Sequence, residues 1–166
     1  MCYRLRTLLI LMAVGPPVLA GCANKRVPHT IPSEIITALE HGEEFELLSL
    51  EPTEGQADDE SRFRKWKVLG KTALDEDTRL KLVAAFKQGV AENAGVHAAC
   101  FIPRHGIQVR HGGKVFNLVI CFECMWARTY IDAQEINYID VSRSPQPVFD
   151  DALIRGSVPL AKPSPH

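Results

Sequence analysis

The chain has 166 residues, with 19 Lys and Arg set against 20 Asp and Glu, and five cysteines. That length suits a single domain with an ordinary hydrophobic core. A formal charge of −1 leaves no basic excess to neutralise phosphates, which excludes nucleic acid as an expected partner. No internal repeat is present.

Arg4 and Arg6 form a positive start, Leu8 to Val14 an apolar run, and Ala20 and Gly21 supply small residues before a cleavage point. A membrane-spanning helix needs about 20 apolar residues, and Pro16-Pro17 interrupt this run sooner. Val18-Leu19-Ala20-Gly21-Cys22 then adds a cysteine at the first position after the cut, and the stretch resembles the signal sequence of bacterial lipoproteins. The resemblance implies that residues 1–21 are a signal peptide and that Cys22 carries a diacylglyceryl group with a further N-acyl chain. One acyl chain anchors marginally, whereas two or three hold stably, at about 0.8 kcal/mol per buried methylene. Ala23 and Asn24 stand where an aspartate marks inner-membrane retention. The implied address is therefore the periplasmic face of the outer membrane, in a cell with two membranes. A plain secretory signal with a cysteine near its end is the alternative. Loss of Arg4 and Arg6 with the leader leaves 17 basic against 20 acidic side chains, a formal −3.

Residues 22–32 are read as a lipidated N-terminus and spacer, with Pro28 and Pro32. Ser33 is the expected N-cap of a helix carrying Ile35, Ile36 and Leu39 and stopped by Gly42. Glu44 to Glu51 alternates around Phe45 and Leu47 as a strand does. Glu54 to Glu60 is an acidic exposed loop without a metal-loop ligand pattern. Strand character resumes over Lys65 to Leu74 through Trp66, Val68 and Leu69; Gly70-Lys71-Thr72 within it lacks the first glycine of a phosphate loop.

Asp75 to Asn93 is the clearest helix. Asp75 caps it, Glu76 and Asp77 suit its N-terminal dipole, and Gly95 follows its end. Leu82, Val83, Phe86 and Val90 make its core stripe. From Val96 to Val141 the pattern is a meander. Ile107–His111 and Lys114–Ile120 flank the two-residue turn Gly112-Gly113, and Trp126–Ile131 joins Ile136–Val141 around Asp132-Ala133-Gln134. Ser144-Pro145-Gln146-Pro147 opens a last helix with Phe149, Leu153 and Ile154, closed by Gly156. Residues 159–166 form a loose tail. The resulting expectation is one globular α+β domain over residues 33–158, an antiparallel sheet of about five or six strands packed against two or three helices.

With Cys2 removed and Cys22 acylated, Cys100, Cys121 and Cys124 remain. An odd set in an oxidising compartment predicts one disulfide and one free thiol. The Gly112-Gly113 turn sets His111 opposite Lys114, and an unbroken ladder would then set Cys100 opposite Met125. One extra residue bulged within Pro103-Arg104-His105-Gly106 would bring Cys100 opposite Cys124. Cys100–Cys124 is thus the favoured bridge and Cys121 the free thiol. Cys121-Phe122-Glu123-Cys124 has redox spacing but follows a strand instead of opening a helix. Zinc on Cys100, His105, Cys121 and Cys124 has suitable ligand types but needs a knuckle where a strand is expected. No cofactor is favoured, with zinc as the alternative.

Arg104 and His105, with Arg110 and His111 nearby, supply an anion site or a general base in one reading and a polar turn in the other. No serine or carboxylate is placed by the sequence to complete a triad with His105. Glu123, on an apolar stretch, needs a partner such as Arg104 or Arg128 if it faces inward. Arg104, His105 and Glu123 are therefore the candidate polar site. The segments Ala99-Cys100-Phe101-Ile102-Pro103-Arg104-His105-Gly106-Ile107 and Val119-Ile120-Cys121-Phe122-Glu123-Cys124 resemble a group of uncharacterised small exported bacterial proteins. That resemblance implies a folded domain and no particular activity. The expected function is a lipid-anchored envelope binding or interaction module with no assigned catalytic residue. Its expected partners are the membrane, through the N-terminal lipid, and an envelope protein. A metal- or thiol-dependent protein and an inhibitor of an envelope hydrolase are the alternatives.

Overall fold

The computed structural model describes residues 30–53 and 62–162. The leader, Cys22, most of the spacer, the Glu54–Glu60 loop and the last four residues lie outside them. In chain order the elements are α1 (Ser33–His41), β1 (Glu43–Leu50), β2 (Arg62–Phe63), β3 (Trp66–Ala73) and α2 (Glu76–Glu92). There follow β4 (His105–His111), β5 (Lys114–Cys121), β6 (Trp126–Ile131), β7 (Gln134–Asp140) and α3 (Gln146–Arg155). The fold is α+β, with three helices and one antiparallel sheet of strand order β2-β3-β1-β4-β5-β6-β7 among the described residues. The sheet has seven strands instead of five or six. The added one is β2, two residues paired with the start of β3, too short to show any alternation.

Both hairpins form, the second through a two-residue turn at Asp132-Ala133, so that β7 starts at Gln134 instead of Ile136. Gly112 and Gly113 have φ of +56° and +77°, the left-handed backbone that the mirror-image turn needs and that glycine adopts freely. The register then runs from His111–Lys114 to His105–Ile120 without a shift. At the second hairpin, Asp132 takes a φ of +50°, and its Oδ1 accepts a hydrogen bond from Val115 N at 3.0 Å, tying the turn to β5.

α2 is capped as expected, Asp75 Oδ1 accepting from Thr78 N at 2.7 Å. α1 differs: Ser33 is its first helical residue, and the carbonyl of Pro32 accepts from Ile35 N and Ile36 N in place of a side-chain cap. α3 presents Phe149, Ala152 and Leu153 to the core, while Ile154 is exposed. A helix turns about 100° per residue, so Ile154 cannot share Leu153's inward direction.

The core lies between one sheet face and the helices. Phe45, Leu47, Ile107, Val109, Leu118, Ile120 and Ile139 meet Ile35, Leu39, Leu82, Phe86, Phe149 and Leu153, all buried. Each such side chain contributes about 1.5–3 kcal/mol through burial. A second cluster on the other face gathers Leu48, Leu50, Phe63, Trp66, Val119 and Tyr130, with Phe101 packed against it. β1 therefore reads as nearly continuous apolar sequence towards its end because both of its faces are covered. The single polar side chain in that buried stretch is Ser49.

Candidate functional site

The end of β1, the start of β4 and α3 converge on a cavity of about 440 Å³ lined by Ser49, Arg104, His105, Glu123, Gln146 and Asp150. Ser49 and His105 are direct partners across the antiparallel β1–β4 pair. Leu50 N donates to Arg104 O at 2.9 Å. The adjoining Ser49–His105 pair consequently takes the non-hydrogen-bonded position, where facing side chains approach most closely. Ser49 is fully buried, and its Oγ has no hydrogen-bond partner among the described residues.

His105 points into the helix layer. Its ring packs against Phe122 and Phe149 at centroid distances of 5.2 and 5.7 Å, and its Nε2 lies 2.8 Å from Asp150 Oδ1. The ionised carboxylate accepts a hydrogen bond from Nε2–H, which leaves Nδ1 as the ring nitrogen not held by Asp150. At the mouth, Arg104 Nη1 forms an ion pair with Glu123 Oε1. Arg104 Nε also donates to the carbonyl of Lys162 at 3.3 Å. Leu160, Ala161 and Lys162 form the rim. These three residues, at the start of the expected loose tail, thus pack on the domain, just after Val158, which is buried in the core.

The three residues of the polar site expected from sequence, Arg104, His105 and Glu123, come together in this one cavity. Arg110 and His111 do not join them. They lie at the far end of β4, about 17 Å along the strand, where Arg110 Nε pairs with Glu44 Oε2 at 2.6 Å. Ser49, Gln146 and Asp150 were not singled out by sequence. A signal existed for Ser49, a polar residue four positions after Phe45 and two after Leu47, in step with the inward face.

The cysteines gather elsewhere. Cys121 follows Ile120, the partner of His105, and so points to the opposite face of the sheet. The strand ends there. Residues 122–125 turn, Met125 taking a φ of +64°, and Cys124 N donates to Cys121 Sγ at 3.1 Å. Cys100 lies in an irregular segment held over this turn by Ala98 N to Cys124 O and Trp126 Nε1 to Cys100 O, both 2.9 Å. Its Sγ is 2.7 Å from that of Cys124, and all three are free thiols.

Two expectations are corrected here. No bulge interrupts β4, and Cys100 faces Cys124 across a loop and a turn instead of across a ladder. Nor does His105 join the cysteines as a zinc ligand, because it is turned towards Asp150 on the helix side. Among the described residues no group of three or more His, Cys, Asp or Glu side chains is arranged to hold a metal ion. Burial pushes the Cys121 and Cys124 thiols up, and the hydrogen bond with Cys124 raises that of Cys100. A reactive thiol needs the opposite shift.

Comparison with known protein families, curated proteins and solved structures finds no match.

Proposed function

We propose that this is a lipid-anchored protein of the cell envelope whose folded domain binds a small polar ligand in the Arg104–His105–Glu123 cavity. The observation that carries the binding role is the convergence of these side chains, with Ser49, Gln146 and Asp150, on one cavity of ligand size. Its charges are internally compensated, Arg104 pairing with Glu123 while Lys162 on the rim offsets Asp150. The fitting ligand is therefore neutral overall and rich in hydrogen-bonding groups, such as a saccharide or a peptide segment.

Support for the address is the Leu19-Ala20-Gly21-Cys22 motif with its basic and apolar flanks. Acylation of Cys22 holds the domain at the membrane, on the periplasmic face of the outer membrane where there are two, with envelope glycans and proteins as the available partners. The proposal includes a Cys100–Cys124 disulfide with Cys121 left as a thiol, supported by the close approach of the two sulfurs and by an oxidising compartment.

Two measurements test the reading. Labelled palmitate should enter the wild-type chain and the protein should fractionate with membranes, while Cys22→Ser abolishes both; label retained in Cys22→Ser refutes the anchor. Soluble envelope glycan fragments and short neutral peptides should shift the NMR signals of the His105 ring and the Gln146 amide. A panel that leaves those signals unmoved refutes the binding role.

A further inference from the structure

We infer that Ser49, His105 and Asp150 form an acyl-transfer site, and that the ligand of this cavity is a carboxylic ester which the protein hydrolyses. The inference rests on the cavity being the binding site and assigns its chemistry.

Three observations carry it. Ser49 lines the cavity, and its Oγ is buried with no hydrogen-bond partner among the described residues. A buried hydroxyl left unsatisfied is destabilising and calls for a functional account. His105 faces Ser49 from the adjacent strand in the narrow pairing position, with both side chains on the same face of the sheet. Asp150 holds Nε2 at 2.8 Å from the other side. The order hydroxyl, imidazole, carboxylate is the arrangement by which a serine is activated, recognised by geometry and not by position in the chain. Here the ring is reversed relative to the usual serine hydrolase, with Nε2 on the carboxylate and Nδ1 left to act as base.

The chemistry closes with water as the only co-reactant. Ser49 Oγ attacks the ester carbonyl carbon as its proton passes to His105 Nδ1, forming the Oγ–C bond. The C–O bond to the alcohol then breaks, and Nδ1 returns the proton to the departing oxygen. Water attacks the acyl group on Ser49, giving its proton to Nδ1, which restores it to Oγ as the carboxylic acid leaves. Throughout, Nε2–H stays on Asp150, which steadies the transient imidazolium. Arg104 and Gln146 line the same cavity and carry N–H donors for the charge that develops on the carbonyl oxygen. Ser49 and His105 are the catalytic residues; Asp150 is a positioning residue.

The test uses the full-length protein, a fluorophosphonate probe and p-nitrophenyl acetate. The probe should form an adduct that peptide mass spectrometry places on Ser49, and Ser49→Ala should lose the adduct and at least 100-fold in ester hydrolysis. Ser49→Ala removes an unsatisfied hydroxyl and keeps the fold, so its thermal midpoint should equal or exceed that of the wild type. Asp150→Asn should retain the fold, lose at least tenfold in rate and displace the pH–rate profile, which a purely structural role would not do. Absence of an adduct on Ser49, or hydrolysis unchanged in Ser49→Ala, overturns the inference. Cavity signals that still respond to ligand in that event leave the binding role standing; signals that respond to nothing remove both.

Discussion

Gly89 sits inside α2, where alanine is ordinarily the better residue by about 0.8–1 kcal/mol. The structure reverses that sign. A Cβ at this position would lie 2.4 Å from Cγ and 2.9 Å from Cδ of Pro145, and 3.1 Å from Cγ2 of Val141. The proline ring is bonded to the backbone at both ends and cannot swing aside as a long side chain would. Gly89 O also accepts from Ser142 N at 2.9 Å, which fixes the 141–145 segment against the helix. Relief therefore requires α2 and the approach to α3 to separate, an overpacking that costs about 1–3 kcal/mol. Net of the helix gain, Gly89→Ala should destabilise the protein by about 1 kcal/mol. At about 3 °C per kcal/mol for a domain of this size, the thermal midpoint should fall by about 3 °C. Urea unfolding followed by circular dichroism should show a lower midpoint at unchanged slope. A midpoint equal to or above wild type would mean that helix propensity prevails and that the Pro145 contact yields.

Two further outcomes follow from the same structure. A Cys100–Cys124 bridge closes a span of 24 residues, worth about 3.4 kcal/mol in the chain-entropy account. Reductant should then lower the thermal midpoint by about 10 °C and raise the thiols titrated in denaturant from one to three; three before reduction would exclude the bridge. Hydrogen bonds from Ser144, Gln88 and Ser142 hold the Glu92 carboxyl below its usual range. A depressed folded value means stability present above the unfolded pKa of about 4.3 and lost as pH falls through the folded one. Stability of the wild type should thus drop more steeply below pH ~4.3 than that of Glu92→Gln; parallel curves would show that these bonds do not favour the ionised form.

Local signals in the chain were enough for the helices and the meander. Gly112-Gly113 set a register that holds through seven residue pairs, and Asp75 capped the helix it precedes. What failed was inference carried beyond the last paired residue. Extending the β4–β5 ladder to Cys100 required a bulge that does not exist, because the chain leaves the sheet before His105 and turns after Cys121. The site divides in the same way. Arg104, His105 and Glu123 drew notice as charges among apolar neighbours, a local property. Ser49 and Asp150 reach His105 only through the pairing of β1 with β4 and the docking of α3, both long-range, so no spacing in the chain announces them.

The place of β1 in the sheet has a kinetic consequence. β4 to β7 join through short turns, so their pairing closes small loops and is fast. β1 instead enters between β3 and β4, and Ser49 meets His105 across 56 positions of chain. Such closures are slow because chain entropy is lost before the contacts return it. The first strand to be synthesised is therefore expected among the last to be seated, and a partly folded chain can own the whole meander while possessing no cavity at all.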